Sequence, residues 1–118
     1  MNLKLCESDY KFMSIIWENE PIRSGKLVEL CANRLNWKKS TTYTTLKKVC
    51  DKGLAQNENT IVTSLVKKEE VQEFESKHIV KESFSGSLPS FLASFFAGKK
   101  ISDKEANELK KLIDDFKE

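Results

Sequence analysis

The sequence lacks long hydrophobic runs, and it is poor in proline, glycine, cysteine and histidine. No stretch of its 118 residues approaches the roughly 20 consecutive apolar residues that a membrane helix needs. The first residues run directly into charged positions without the apolar segment of a secretory signal. We therefore expect a cytoplasmic protein with no direct membrane binding. Two prolines and four glycines are too few for a low-complexity chain.

The three cysteines and the single histidine are too scattered for a disulfide framework or a structural zinc site. Cys6, Cys31 and Cys50 form no C-x-x-C pair, and His78 stands alone in a highly charged segment. We interpret the cysteines as small buried hydrophobic residues and expect no metal and no cofactor. No nucleophile accompanies His78 and no glycine-rich phosphate loop occurs, so the sequence predicts a protein that is not an enzyme.

The net charge of +2 conceals a basic segment near the middle of the chain. Residues 1–66 contain 10 Lys and Arg against 7 Asp and Glu, whereas residues 67–118 contain 10 against 11. Within residues 36–55, five lysines accompany one aspartate, a net charge of +4. A local excess of this kind indicates a specific anionic partner.

Apolar periodicity and turn residues predict a mainly α-helical chain with one small β-hairpin. Helices are expected over residues 7–20, 24–35, 40–52, 67–84 and 87–98, with a last helix after Ser102. Ser24 and Ser40 are the predicted N-caps of the second and third helices, and Gly53 is the predicted terminator of the third. Residues 54–56 and 60–66 are predicted strands joined by Asn57-Glu58-Asn59. This order predicts a winged helix-turn-helix domain over residues 1–66 and a helical dimerisation domain over residues 67–118.

The third helix is the predicted DNA-reading element. At about 100° per residue, Thr42, Val49 and Cys50 lie near Leu46 on an inward face, while hydroxyls and lysines lie opposite. Threonine can contact a base edge or pack its methyl group on thymine, and lysine can reach phosphates. The candidate DNA-binding residues are Ser24, Lys38, Lys39, Ser40, Thr41, Tyr43, Thr44, Lys47 and Lys48.

Phenylalanine is concentrated in the C-terminal part, where residues 84–96 contain four phenylalanines and two leucines. So much apolar surface exceeds what three appended helices readily bury by themselves, and it predicts a homodimer. The candidate interface residues are Phe74, Phe84, Leu88, Phe91, Leu92, Phe95, Phe96, Leu109, Leu112, Ile113 and Phe116.

Several fragments, in order and with matching spacing, resemble the BlaI/MecI group of transcriptional repressors, which control β-lactamase and penicillin-binding-protein genes. They are Tyr10, Met13 and Trp17; Asn36-Trp37-Lys38; Thr41-x-x-Thr44-x-Leu46-x-Lys48-Val49-x-x-Lys52-Gly53-Leu54; Ser64-Leu65-Val66; Gly86-Ser87-Leu88-x-Ser90; and Ile101-Ser102-x-x-Glu105-x-x-Glu108-Leu109. Three features depart from the family pattern. Lys48 stands where arginine is common, Ser94 replaces the usual asparagine, and the wing is short with no basic residue at its tip.

The resemblance implies a homodimer on a palindromic operator of double-stranded DNA. It also implies relief of repression by proteolysis within the dimerisation segment, triggered by a membrane β-lactam sensor with a protease domain. The matching peptide bond is Ser94–Phe95. The copper-responsive members carry a C-terminal cysteine motif, and the absence of cysteine after Cys50 disfavours that branch.

Two alternatives remain open from the sequence. One is a winged-helix regulator of the same fold that answers another signal, and the other is a module that binds protein and not DNA. The basic segment disfavours the second alternative. A salt titration discriminates between them, because DNA affinity falls by about 0.9 log units per log unit of salt for each phosphate contact.

Overall fold

The computed structural model describes residues 2–118 and divides the chain into two compact units, Met1–Lys77 and His78–Glu118. The elements follow the predicted order, with one strand that the sequence did not indicate. They are α1 (Glu7–Asn19), β1 (Ile22–Arg23), α2 (Ser24–Leu35), α3 (Lys39–Asp51), β2 (Ala55–Glu58), β3 (Ile61–Ser64), α4 (Lys68–Ser83), α5 (Leu88–Phe96) and α6 (Asp103–Phe116). The described chain is therefore mainly helical with a small antiparallel sheet, as predicted.

The sheet in the first unit has the strand order β1-β3-β2, with both pairings antiparallel. The hairpin lies where it was predicted, but its turn does not. Glu58 pairs with Ile61, so the turn is Asn59–Thr60 and not residues 57–59. Both turn residues have positive φ, 51° and 67°, which is the geometry of a tight two-residue connection that continues the strand twist.

The core of the first unit forms where α1, α2, α3 and the sheet meet. Phe12 and Met13 from α1, Leu27 from α2 and Val62 from β3 are completely buried. Val71 extends the core to the beginning of α4. Within α2 and α3 the buried apolar residues recur at helical spacing, as Leu27 and Cys31 do in α2, so that each of these helices contributes one apolar face to a common interior.

Two predicted N-caps are wrong, by one position in α2 and by two positions in α3. Ser24 is the first residue of α2, because the extended backbone of Arg23 (φ −69°, ψ 141°) makes that residue the N-cap. The Ser24 N–H donates to the Thr60 carbonyl, and its side chain is buried. Lys38 and not Ser40 is the N-cap of α3, because the Lys38 carbonyl accepts from the Thr42 N–H at 3.1 Å. The predicted terminator is confirmed, since Gly53 has φ 78°.

The second unit contains the end of α4 and the helices α5 and α6. Ser87 and Ser102 cap α5 and α6, each accepting a backbone N–H three residues on, at 3.1 Å. Phe84 packs edge-to-face on Phe91 with ring centroids 5.4 Å apart. Neither α5 nor α6, which are described over their whole length, contains a buried residue. Caps and ring contacts therefore define these helices without giving them an interior of their own.

Leu27→Ala should destabilise the first unit strongly, because Leu27 is fully buried and its loss leaves a cavity. We expect a loss of about 2–5 kcal/mol in the free energy of unfolding, measured by urea denaturation. Leu65→Ala is the matched control, since Leu65 is exposed and carries the same side chain. Equal losses in the two variants would contradict this description of the core.

Candidate nucleic-acid interface

One face of α3 is buried and the opposite face is exposed. Thr42, Leu46 and Val49 are 1%, 3% and 0% exposed. They recur at intervals of four and three residues, so they form a single stripe that packs on the core. The inward face predicted from the sequence is confirmed for these three residues, whereas Cys50 is only partly buried. Because only one stripe is buried, the remaining surface of α3 is available to a partner.

The exposed part of α3 and its N-terminal end combine lysines with hydroxyls. Six of the exposed residues are Lys38, Lys39, Ser40, Thr41, Thr44 and Lys47, and Tyr43, Lys48 and Asp51 are exposed as well. The first turn of α3 contains no acidic residue. Helix N-termini carry partial positive charge and unsatisfied N–H groups, so the two lysines reinforce a favourable position for an anion.

Lys47 has an internal partner that a stronger anion could replace. Its Nζ lies 2.9 Å from Asp51 Oδ2, and both side chains are largely exposed. An exposed pair of this kind on one helix face contributes only a few tenths of a kcal/mol. Lys47 can therefore exchange this carboxylate for a phosphate at little cost.

Tyr43 and Ser24 lie together at one flank of α3. The Tyr43 hydroxyl is 3.4 Å from Ser24 Oγ, and Tyr43 is 38% exposed. Ser24, in contrast, is 6% exposed. Of these two candidate DNA-binding residues, Tyr43 is accessible, and Ser24 lies beneath it in a supporting position.

Lys48 and Lys52 meet a buried carboxylate at the other flank. Asp9 in α1 is 1% exposed, and its Oδ2 lies 2.9 Å from Lys48 Nζ and 3.5 Å from Lys52 Nζ. Burial by itself raises the pKa of Asp9, but hydrogen bonds and nearby charge, chiefly from Lys48, bring the pKa below its ordinary value. Asp9 in turn raises the pKa of Lys48. The Lys48 ammonium, predicted to face DNA, is therefore directed to α1.

Cys6 lies beside this ion pair and corrects one prediction. Its sulfur is 3.3 Å from Ser8 Oγ and 4.0 Å from Lys48 Nζ, and the residue is exposed. The expectation that all three cysteines are buried is thus wrong for Cys6, which precedes the first turn of α1, and holds fully only for Cys31. Among residues 2–118, no group of His, Cys, Asp and Glu could hold a metal ion.

The sheet adds one cation, beside the wing formed by β2 and β3, that the sequence analysis did not identify. Gln56, Asn57 and Glu58 are exposed along β2, and none of them is basic. Arg23 in β1 is exposed and pairs with Ile61 next to the turn. A two-residue strand gives no periodic signal, so only its pairing with β3 places Arg23 on this sheet.

The candidate interface residues of the second unit are accessible or only partly covered. Five of them are exposed, with 81% exposure for Phe116: Leu88, Phe95, Leu112, Ile113 and Phe116. Phe84, Phe91, Leu92, Phe96 and Leu109 are partly buried. Phe74 is also partly buried, but it belongs to the first unit. Packing within one subunit therefore leaves every one of these apolar side chains at least partly in contact with solvent.

The candidate cleavage bond lies within the last turn of α5. Ser94 and Phe95 are exposed, and the Ser94 carbonyl accepts the Ala97 N–H at 3.2 Å. Lys99 Nζ is 4.8 Å from the centre of the Phe95 ring.

Over residues 2–118, every helix is too short or too polar to cross a membrane.

Comparison with known proteins gives one consistent result over nearly the whole chain. The family model described as Penicillinase repressor matches residues 5–115. A penicillinase repressor of Bacillus licheniformis is 20% identical over 118 residues, covering 97% of this chain and 92% of the relative. The match includes α1 to α5 and all of α6 except its last residue, so it extends across both units.

Asp9→Asn should lower stability at neutral pH and have less effect in acid. Because the pKa of Asp9 in the folded protein is below its ordinary value of 3.8, the carboxylate stabilises the fold above that pH. This contribution is lost as the pH falls through the lowered folded value. We expect Asp9→Asn to cost about 1–3 kcal/mol at neutral pH, measured by thermal unfolding across a pH series.

Asp51→Asn is the control, because Asp51 forms an exposed pair with Lys47. It should change stability by no more than a few tenths of a kcal/mol. A deficit in Asp9→Asn that stays constant from neutral pH into strong acid would show that the charge of Asp9 is not what stabilises the fold.

Proposed function

Because this chain belongs to the penicillinase repressor family, whose members are transcriptional regulators and not enzymes, we propose that it represses transcription as a homodimer bound to a palindromic operator. The observation that carries this proposal is the exposed lysine and hydroxyl surface of α3, opposite a buried stripe. An α-helix fits the major groove of B-DNA, and short hydroxyl side chains let it approach the base edges closely.

Contacts to the duplex are assigned by side-chain chemistry. Lys38 and Lys39 at the N-terminal end of α3, together with Lys47, neutralise phosphates. Ser40, Thr41 and Thr44 reach base edges, with Tyr43 at the flank. Arg23 provides a phosphate contact from the side of the wing, where the hairpin tip itself offers none.

Dimerisation follows from the apolar surface of α5 and α6. Exposed side chains such as Leu88, Phe95, Leu112 and Ile113 would be buried by a second copy of the same surface. Each fully buried Leu, Ile or Phe side chain contributes about 1.5–3 kcal/mol. A two-fold dimer also presents two α3 helices to successive major grooves, which is why such repressors bind palindromes.

We further propose that cleavage between Ser94 and Phe95 relieves repression, in response to a membrane β-lactam sensor with a protease domain. Proteases that bind their substrates as extended strands need the last turn of α5 to unwind. Cleavage would separate Phe95 and Phe96, together with α6, from the rest of the chain. The dimer surface would thereby be divided and operator affinity lost.

Lys47→Met should weaken DNA binding without destabilising the fold. We expect the slope of log affinity against log salt to fall in magnitude by about 0.9, since one phosphate contact is lost. The measurement is fluorescence anisotropy with a duplex that the wild-type chain selects from a randomised library. Lys77→Met is the matched control, because Lys77 is an exposed lysine in an equivalent i, i+4 pair on α4. Equal salt slopes in wild type and both variants would rule out Lys47 as a phosphate contact.

Phe95→Asp and Leu112→Asp should each produce monomers, because a charge placed in an apolar interface cannot be compensated. Sedimentation velocity measures the result at micromolar concentrations. Leu65→Asp is the control, since Leu65 is exposed to a similar extent but lies in the first unit. Dimers that persist in both Phe95→Asp and Leu112→Asp would place the interface elsewhere.

A further inference from the structure

Asp9 is the only buried charged residue among residues 2–118. A buried carboxylate is costly unless cations and hydrogen bonds compensate it. Of the two cations that compensate Asp9, Lys48 belongs to α3 and Lys52 is the C-cap of that helix, whereas Asp9 belongs to α1. This ion pair therefore joins the first turn of α1 to the C-terminal half of the proposed reading helix.

The ion pair changes which lysines of α3 can reach a duplex. Lys47 pairs with Asp51 on the exposed surface, and that pair can open. Lys48 and Lys52 share a carboxylate that has almost no contact with solvent. Withdrawing Lys48 towards a phosphate would leave a buried charge with less compensation, which is far more costly than opening an exposed pair. The ion pair thus favours a Lys48 ammonium directed to Asp9, even though 47% of the Lys48 side chain is accessible.

The positions of these contacts around α3 indicate that the ion pair controls the rotation of the helix about its axis. The single stripe of Thr42, Leu46 and Val49 seats α3 on the core, but one apolar stripe restrains rotation about the helix axis only weakly. At about 100° per residue, Tyr43 lies on one side of that stripe and Lys52 on the other, each about a quarter-turn away. Tyr43 contacts Ser24 in α2, and Lys52 with Lys48 contacts Asp9 in α1. These contacts restrain rotation in both senses.

We propose that Asp9 is a positioning residue for DNA reading. Through Lys48 and Lys52 it sets the rotation of α3 about its axis, so that Ser40, Thr44 and Lys47 face the groove. In this arrangement Lys48 anchors α3 to α1 and is not a DNA contact. This inference rests on the proposed function, and it deepens it by dividing the lysines of α3 into two roles. The inference predicts that replacing Lys48 reduces discrimination between DNA sequences, whereas replacing Lys47 reduces the affinity for every sequence.

The experiment compares Lys48→Met with Lys47→Met in the full-length chain. The probes are a duplex selected by the wild-type protein and a scrambled duplex of equal length and composition, each titrated over a series of KCl concentrations. Lys47→Met should weaken both duplexes alike and reduce the salt slope by about 0.9. Lys48→Met should leave the salt slope unchanged and lower the ratio of selected to scrambled affinity by about tenfold, comparable to the loss of one base-pair contact.

Two more variants separate positioning from simple loss of fold. Asp9→Asn should lower the affinity ratio as Lys48→Met does, at a temperature where circular dichroism shows both variants folded. Because it also releases Lys48 and Lys52 from their carboxylate, the affinity ratio and not the salt slope is compared for this variant. Lys48→Arg keeps the positive charge beside Asp9, and it should restore the wild-type ratio. If Asp9→Asn does not fold, the comparison of Lys48→Met with Lys48→Arg still decides the question.

The outcomes distinguish a failure of this inference from a failure of the proposed function. A reduced salt slope in Lys48→Met, equal to that of Lys47→Met, would make Lys48 a phosphate contact and overturn the inference alone. An unchanged affinity ratio in folded Lys48→Met would also overturn it, because the rotation of α3 would not depend on the ion pair. If the wild-type chain selects no duplex from the library, the proposed function fails and this inference fails with it.

Discussion

The packing of one narrow stripe of α3 against the core is the constraint on which the rest of the first unit depends. Thr42, Leu46 and Val49 fill the space above α1 and α2, and no other part of α3 is fully buried. Threonine is a poor helix former, so a helix with four threonines within five residues gains little from propensity. Its stability comes from this tertiary contact. The same contact orients the remaining threonines and lysines outward.

Apolar packing orients α3, but the ion pairs determine which of its lysines are available to a ligand. Three of the five lysines in residues 36–55 have carboxylate partners within the protein, so the net charge of that segment overstates the charge available to a ligand. The partners differ in a way that matters: Asp51 is exposed and Asp9 is buried. A lysine beside an exposed carboxylate can exchange partners, whereas one beside a buried carboxylate is part of the fold.

The second unit presents the opposite situation, since α5 and α6 have well-formed ends but no buried residue. Local capping by Ser87 and Ser102 defines where these helices begin, yet caps contribute only about 1 kcal/mol each. Helices of 9 and 14 residues are marginal in isolation. Burial of their apolar faces against a second subunit, as we propose, would supply the missing stabilisation. It would also make DNA reading dependent on assembly.

The sequence by itself determined the order and type of the helices, the hairpin, the inward stripe of α3 and the family resemblance. These follow from local periodicity, turn residues and spacing, which are properties of neighbouring positions. Only the tertiary structure decided the pairing of β1 with β3, the burial of Ser24, and the partnership of Lys48 with Asp9, which lie 39 positions apart. A helical projection places Lys48 opposite the core of its own helix, but its long side chain reaches a second helix. Contacts between distant segments depend on how elements pack in three dimensions, and a one-dimensional pattern contains no distance between them.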